Sequence, residues 1–289
     1  MRPGGAWPAS DKLTGQPTGI EQSASLYQGC APTTAPDQVL AIAAGRQPRL
    51  VWHNEDALTY QLGDGAERCF VKWSPAASSL NLAQEAERMA WAGAFHPVPR
   101  VLEFGADVEG SWLVTAALPG RSAVDPRWTA EPRTAVRAIG EGLRAMHEAL
   151  PTDSCPFSWM AEVRVEKSQS AGAAGLIDPA KDWQPEHQGL AVSRALELIA
   201  DIPPTDQVVV CHGDACAPNT LLTEDGRWSG HVDLGALGVA DRWADLAIAT
   251  WSANWNYGPG WEGEMLDAYG VAPDPDRTRY YRLLWDLDA

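Results

Sequence analysis

The sequence predicts an α+β fold in two lobes, and three observations carry that expectation. Five short β-like runs crowd into residues 49–117, interrupted by one helical segment. From residue 132 onward amphipathic helical periodicity dominates. Two further β segments, "QVVVCHGD" and "GHVDLGALG", surround a polar loop inside the helical half. Strands gathered at one end and helices at the other form an α+β plan. The chain has 289 residues, enough for one large domain or two lobes with real cores. No internal repeat is seen.

In chain order, residues 1–35 are rich in Pro, Gly, Ser and Thr and read as a disordered or loosely attached extension. "DQVLAIAAG" (37–45) reads as a short helix stopped by Gly45. "RLVWHN", "ALTYQL" and "RCFVKW" are strand-like, with "GDG" (63–65) as the hairpin turn between the second and third. "LNLAQEAERMAWAGA" (80–94) is helical, with Leu82, Ala86, Met89 and Ala90 on one face. "VPRVLEFG" and "SWLVTAAL" complete a five-stranded sheet before "LPG" (118–120). The expected division is therefore an extension (1–35), a β-rich N-lobe (36–117) and a helical C-lobe (118–289). In the C-lobe, "PRTAVRAIGEGLRAMHEAL", "GLAVSRALELIAD", "DRWADLAIATWSANW", "GWEGEMLDAYG" and "PDRTRYYRLLWDLDA" read as helices. The stretch 153–205 is otherwise mixed.

Hydrophobic residues make up 45% and charged residues 21%, a globular balance. The net charge of −16 repels nucleic acid and anionic membrane and attracts cations. The longest apolar runs are too short to span a bilayer. The opening "MRPGGAWPASDKLTGQPTG" has no apolar core of a secretory signal. The five cysteines are scattered and form no C-x-x-C pair, which argues against structural zinc and a disulfide framework and for a reducing cytoplasm.

"CHGDACAPN" (211–219) sets a histidine, an acid and an asparagine in one loop directly after the apolar run "VVV". Asp214 follows a strand, where a side chain can face a cleft. Asn219 lies five residues later, and Asp233 nineteen residues after Asp214 on a second β segment. Mg²⁺ takes hard oxygen ligands, carboxylates together with substrate phosphate, and Asn219 and Asp233 offer them. Asp214 is then free to accept a proton from a hydroxyl. One acid as base, with an asparagine and an acid on metal, is the set of parts for kinase-type phosphoryl transfer. "HGD" alone is an ordinary polar turn; Asn219 and Asp233 tip the balance. The same chemistry needs a cation for the nucleotide phosphates. The chain has four lysines, Lys12, Lys72, Lys167 and Lys181. Lys72 alternates with apolar neighbours in "CFVKW", and a buried lysine needs an acid. Glu85 or Glu87 on the next helix can supply it; otherwise Lys72 is a snorkelling edge-strand lysine.

"VVVCHGDACAPNTLL" and "GHVDLGALGVADRWADLAIAT", with "CFVKW", "QEAERMAWAGAFHPVPRVLEFGA", "SWLVTAALPG" and "LRAMHEALP" followed by "CPF", resemble the aminoglycoside phosphotransferases. These are antibiotic-resistance kinases with a protein-kinase-like two-lobe fold. The resemblance runs from about residue 37 to the C-terminus and looks closest to the 3'-phosphotransferases, with the 3'' streptomycin enzymes next. It implies Asp214 as the catalytic base, and Asn219 and Asp233 as holders of Mg²⁺. Lys72 would lie on the α- and β-phosphates of ATP, paired to Glu85, with Thr115, Ala116 and Ala117 as the adenine-binding hinge. Asp241 and Asp245 would brace the loops. His212 would shape the backbone rather than react, and His147 reads as a packing or capping residue.

The chain departs from that pattern in places. The loop over the phosphates is Gly-rich in kinases; here "HNEDALTYQL" (53–62) holds no glycine, leaving the amides of Asp56 to Thr59 to meet phosphate beside repelling acids. The resemblance implies an acid just after "CPF", where this chain has Ser158, and two consecutive acids near the end. In "LLWDLDA" Asp286 matches the second acid and Trp285 replaces the first. A polycationic substrate needs carboxylates. The expected substrate contacts are Asp286, Glu262 and the terminal carboxylate of Ala289, among further acids at Glu162, Glu166, Glu264 and Asp288; each alone also reads as a solvated acidic face.

The expected activity is phosphorylation of an aminoglycoside hydroxyl, the 3'-hydroxyl first, using ATP (GTP as the rival donor) and Mg²⁺. It would be carried out in the cytoplasm by a monomer or weak dimer that binds neither nucleic acid nor membrane. Two alternatives stand beside it: a kinase of another small hydroxyl compound, such as streptomycin, a cyclic-peptide antibiotic or a choline- or sugar-like metabolite, and a nucleotide-binding module without turnover.

Overall fold

The computed structural model describes residues 34–288, so most of the expected N-terminal extension, and Ala289, lie outside it. Helix α1 (Asp37–Ala43) leads into strands β1 (Arg49–His53), β2 (Leu58–Leu62) and β3 (Cys69–Pro75). Helix α2 (Leu82–Ala92) and strands β4 (Val101–Ala106) and β5 (Gly110–Ala116) follow. The five strands form one antiparallel sheet in the order β1-β2-β3-β5-β4. Successive strand residues face opposite sides, and the sheet uses both. Tyr60, Leu62, Cys69, Val71 and Val114 pack with Val39 and Ala43 of α1. On the other side Leu113 packs with Leu82, Met89 and Ala92 of α2. Asn81 caps α2, its side chain accepting the Gln84 amide at 3.1 Å.

The helical part begins after the short strand β6 (Arg121–Ser122) and the single turn α3 (Pro126–Thr129). Then come α4 (Pro132–Ala149), α5 (Ala161–Ala173), α6 (Pro179–Asp182) and α7 (Val192–Ile199). Strands β7 (Val208–Cys211), β8 (Thr220–Leu222), β9 (Trp228–His231) and β10 (Gly238–Asp241) carry the polar loops. Helices α8 (Trp243–Tyr257), α9 (Glu262–Tyr269) and α10 (Pro275–Asp286) close the chain. Helix α8 is buried without interruption from Trp243 to Ser252 and on to Ala253, as its apolar sequence requires. Helices α4 and α9 touch at Gly140, where an added Cβ would lie 2.4 Å from the Met265 carbonyl oxygen.

Three sequence expectations are adjusted. The buried face of α2 is Leu82, Glu85, Met89 and Ala92, while Ala90 is exposed; the helix turns an acid inward to meet Lys72. The "GDG" turn widens into residues 63–68, with Gly63 and Gly65 both at positive φ and a 3₁₀ turn at Gly65–Glu67. Within the mixed stretch, α5 forms although its periodicity is poor. Its buried side includes Arg164, which is tolerated because Nε meets Asp288 at 3.0 Å. Among the described residues no helix is long and apolar enough to cross a membrane.

Candidate active site

Strands β7 and β10 pair antiparallel with Cys211 opposite Gly238, so the loop after β7 starts beside the turn that precedes β10. Gly213 has φ +83, and a Cβ there would lie 2.2 Å from the Ala236 carbonyl oxygen, so glycine is what lets the two loops touch. Asp245, in the first turn of α8, holds this loop from below. Its Oδ2 accepts the His212 amide at 2.6 Å and its Oδ1 the Gly213 amide at 2.9 Å. His147 of α4 lies 3.0 Å from Asp245 Oδ2, and its other ring nitrogen 2.9 Å from the Tyr269 hydroxyl. Burial drives the Asp245 carboxyl upward, but the hydrogen bond and charge of His147, with His212, more than offset it, and the group stays below the ordinary aspartate range. His147, Cys211 and Asp245 offer ligand atoms within 4.8 Å of one another. All three are already hydrogen-bonded, Cys211 Sγ to the Asp241 carbonyl at 3.3 Å, so the cluster is a brace. Asp241 braces a second loop, accepting the amides of Trp243 at 2.9 Å and Asp206 at 2.8 Å.

His212 spends both ring nitrogens on backbone. Nδ1 accepts the Asp214 amide at 3.2 Å, which assigns the ring proton to Nε2, 2.9 Å from the Val232 carbonyl oxygen. Asp214 accepts from Asn219 Nδ2 on Oδ2 at 3.0 Å, and the same amide donates to the Asp214 carbonyl at 3.0 Å. Asp214 Oδ1 is buried and, among the described residues, has no partner. Burial and then the Asp233 charge raise its carboxyl above the ordinary value. A buried acceptor left open is costly, and it is ready for a donor such as a hydroxyl.

On the sheet side, Lys72 sits between Thr59 and Leu113 in register. Its Nζ lies 2.9 Å from Glu85 Oε2 and 2.7 Å from Asp233 Oδ1, tying the sheet to the loop that precedes β10. Burial alone would favour neutral Lys72, but Asp233 and Glu85 outweigh it and the ammonium is held firmly charged. Glu85 is pushed up to about 7 by burial and by Asp233, with Lys72 opposing. Burial also lifts Asp233, yet Lys72 brings it below the ordinary range. Asp233 adopts φ +64, a left-handed conformation that aspartate tolerates better than most residues. Asp233 Oδ2 and Asn219 Oδ1 accept no hydrogen bond among the described residues. Both are hard oxygens, the donor set that Mg²⁺ takes.

Strand β5 ends at Ala116, inside the segment Thr115–Ala117. The Ala116 amide donates to Arg100 O at 2.9 Å and the Ala117 amide to Arg68 O at 3.1 Å. The first amide without a partner among the described residues is that of Leu118, one residue past the segment that the sequence singled out. The signal for it was the end of the strand before "PG". In the glycine-free loop, Asn54 Oδ1 accepts the amides of Asp56 at 2.9 Å and Ala57 at 2.7 Å. Ser74 Oγ donates to the Asp56 carbonyl at 2.7 Å. Two of the amides expected to face phosphate are thus turned onto an Asx turn.

The C-terminal acids are held by internal hydrogen-bond and ion-pair partners. Glu262 accepts from Asn254 at 2.6 Å and from Arg282 Nη2 at 3.0 Å. Asp286 is 2% exposed. Its Oδ2 lies 2.6 Å from His187 Nδ1 and accepts the Gln184 amide at 3.1 Å, while Oδ1 is buried with no partner among the described residues. Burial raises the Asp286 carboxyl although His187 pulls it down. Asp288 meets Arg164 at 3.0 Å and Lys167 at 3.3 Å. Ala289 lies outside the described residues. Sequence reasoning missed Arg282 and His187, because nothing local links either to its acid.

A family model described as "Phosphotransferase enzyme family" matches residues 48–281. An aminoglycoside 3'-phosphotransferase of Streptomyces fradiae is 37% identical over 261 residues, covering 83% of this chain and 96% of that protein. A streptomycin 3''-kinase of Streptomyces griseus is 36% identical over 258 residues, covering 84% of this chain and 89% of that protein. Among solved structures, the aminoglycoside phosphotransferase APH(3'')-Id of Streptomyces rimosus in complex with ADP and streptomycin superposes with a TM-score of 0.71 at 29% identity, over 87% of this chain and 97% of that one.

Proposed function

The chain belongs to the aminoglycoside phosphotransferases of the phosphotransferase enzyme family, and from that premise we propose that it transfers the γ-phosphoryl group of ATP to a hydroxyl of an aminoglycoside antibiotic, the 3'-hydroxyl first. The observation that carries the reading is Asp214. It presents a buried carboxylate oxygen without a partner among the described residues, fixed by Asn219 and set beside the Lys72–Asp233 pair. The substrate hydroxyl donates to Asp214 Oδ1, which takes its proton as the oxygen attacks the γ-phosphorus in line and the bond to the β–γ bridging oxygen breaks, releasing ADP. Lys72, oriented by Glu85, exchanges its contact with Asp233 for the α- and β-phosphates. The adenine lies against Thr115–Ala117, with the Leu118 amide as its donor, and the boundary between the lobes falls after Ala117. Asn219 Oδ1 and Asp233 Oδ2 are the atoms that would hold Mg²⁺, which neutralises phosphate charge when bound.

The protein's part is therefore positioning and charge, with little covalent chemistry. We place the reaction in the cytoplasm, where ATP is abundant; the cysteines Cys69, Cys155, Cys211 and Cys216 are free thiols, as a reducing compartment expects. A second reading, streptomycin as acceptor, is favoured by the near-equal identity to the 3'- and 3''-enzymes, 37% and 36%. An ADP-release assay with ATP or GTP against kanamycin, neomycin, streptomycin and a cyclic-peptide antibiotic separates them. Turnover with kanamycin and neomycin supports the first reading, and turnover with streptomycin alone the second. Silence across the panel with ATP bound removes the aminoglycoside assignment.

A further inference from the structure

A second charged cavity lies on the sheet face opposite Lys72. Lys72 and Leu113 face α2, whereas Cys69 and Val114 face α1. Past the end of α1 that second face opens into a cavity of about 410 Å³ whose lining includes Arg46, Arg68 and Arg100. Among the described residues none of the three has a carboxylate within ion-pair distance, in a chain of net charge −16. Elsewhere this chain pairs its surface arginines readily, as Arg121 and Arg127 do with Glu224 and Arg137 does with Glu264.

Two of the three guanidiniums are partly spent on backbone. Arg46 caps the carbonyls of Ala43 at 2.9 Å and Ile42 at 3.1 Å. Arg68 Nη2 donates to Leu118 O at 3.0 Å, but its Nε is buried with no hydrogen-bond partner among the described residues. The Arg100 side chain is exposed and makes no hydrogen bond among them. Glu67 and Glu103 also line the cavity, so three guanidiniums face two carboxylates and the local balance is positive by one charge; Glu103 Oε1 accepts from Trp112 Nε1 at 3.0 Å. The three guanidiniums outnumber the two carboxylates of the lining, and their forked N–H groups match the oxygens of a phosphoryl group. The volume is that of a small-molecule site rather than of an inorganic ion. Ile42, Leu102 and Val114 give it an apolar wall.

We propose that this cavity binds a small organic phosphate, its phosphoryl group held by Arg46, Arg68 and Arg100 and its apolar body laid on Ile42, Leu102 and Val114. Phenyl phosphate carries both features and is the probe, titrated calorimetrically into the full chain with excess ADP. Wild-type protein binds it. Arg100→Glu weakens binding by about tenfold or more, the scale of one charge-assisted contact, and Arg100→Lys falls between. An unchanged melting temperature and retained ADP binding show that the Arg100 variants are folded. Lys72→Ala leaves phenyl phosphate binding intact. Equal affinity in wild type and Arg100→Glu overturns the proposal. So does loss of binding in Lys72→Ala with retention in Arg100→Glu, which would assign the probe to the nucleotide cleft, and so does the absence of binding to wild type at millimolar probe.

Discussion

Asp214 Oδ1 is a buried acceptor with no hydrogen-bond partner among the described residues, and two expectations rest on that atom. Asp214→Asn keeps the shape and the contact with Asn219 but cannot take a proton. Its kcat should fall by at least about 100-fold, the scale of a general base, and near-normal turnover in steady-state kinetics would remove Asp214 from that role. Burial and Asp233 also raise its carboxyl above the ordinary 3.8. An acid with a raised value holds its proton to higher pH, so the base form is lost early as pH falls. The acid limb of a kcat–pH profile should therefore lie above pH 3.8; a limb at or below that value contradicts the assignment. Lys72→Ala should raise the KM for ATP about tenfold or more, the worth of a charge-assisted contact to phosphate. An unchanged ATP dependence would make Lys72 structural. The residues in these tests were legible because short spacings carry them: Asp214 and Asn219 share one loop, and Lys72 alternates in one strand. Asp286 was not, since its burial is decided by His187, 99 residues away, and no local pattern encodes that meeting.

The elements around the site carry their own pH response. His96, just after α2, and His231, at the end of β9, meet at 2.9 Å between Nε2 and Nδ1, and His96 stacks on Trp228. Both are buried. Burial and neighbouring histidines lower His96 from 6.5 to about 4 and hold His231 well below the ordinary histidine value. The unfolded chain thus binds more protons than the folded one between pH 6.5 and about 4. Stability from this pair is full above pH 6.5 and is lost as pH falls through that window. Thermal melts across it should show the wild-type midpoint dropping faster than that of His96→Gln; parallel curves would mean that the pair is not held neutral. Helix packing gives a second test. Gly140→Ala sets a Cβ 2.4 Å from the Met265 carbonyl oxygen, so α4 and α9 must part, at a cost of about 1–3 kcal/mol. A melting point equal to wild type would show that the crossing relaxes freely. Long amphipathic elements such as α4 were legible from their period. Helix α5 was not, because its inward positions include Arg164 and Ser168, which read as surface until Asp288 is seen beside the arginine.

For the molecule as a whole, the order of strands and helices announced two lobes, but not how charge is distributed between contact and field. The net charge is −16, yet the acids that the sequence offered for a cationic substrate are largely answered from within: Glu262 by Arg282, Asp286 by His187 and Asp288 by Arg164 and Lys167. A polycationic aminoglycoside would then be drawn chiefly by the summed negative field, and less by preformed ion pairs. Field and contact differ in their response to salt. Exposed charges are screened beyond about 8 Å at physiological ionic strength, while buried pairs are screened far less. The KM for kanamycin should therefore climb several-fold as sodium chloride is raised from low to high concentration, with kcat nearly constant, since the proton transfer at Asp214 takes place in a buried setting. The KM for ATP, an anion approaching the same acidic molecule, should fall or stay level over that range. If the kanamycin KM is indifferent to salt, short-range contacts dominate, and His187 and Arg282 must release Asp286 and Glu262 to the bound antibiotic.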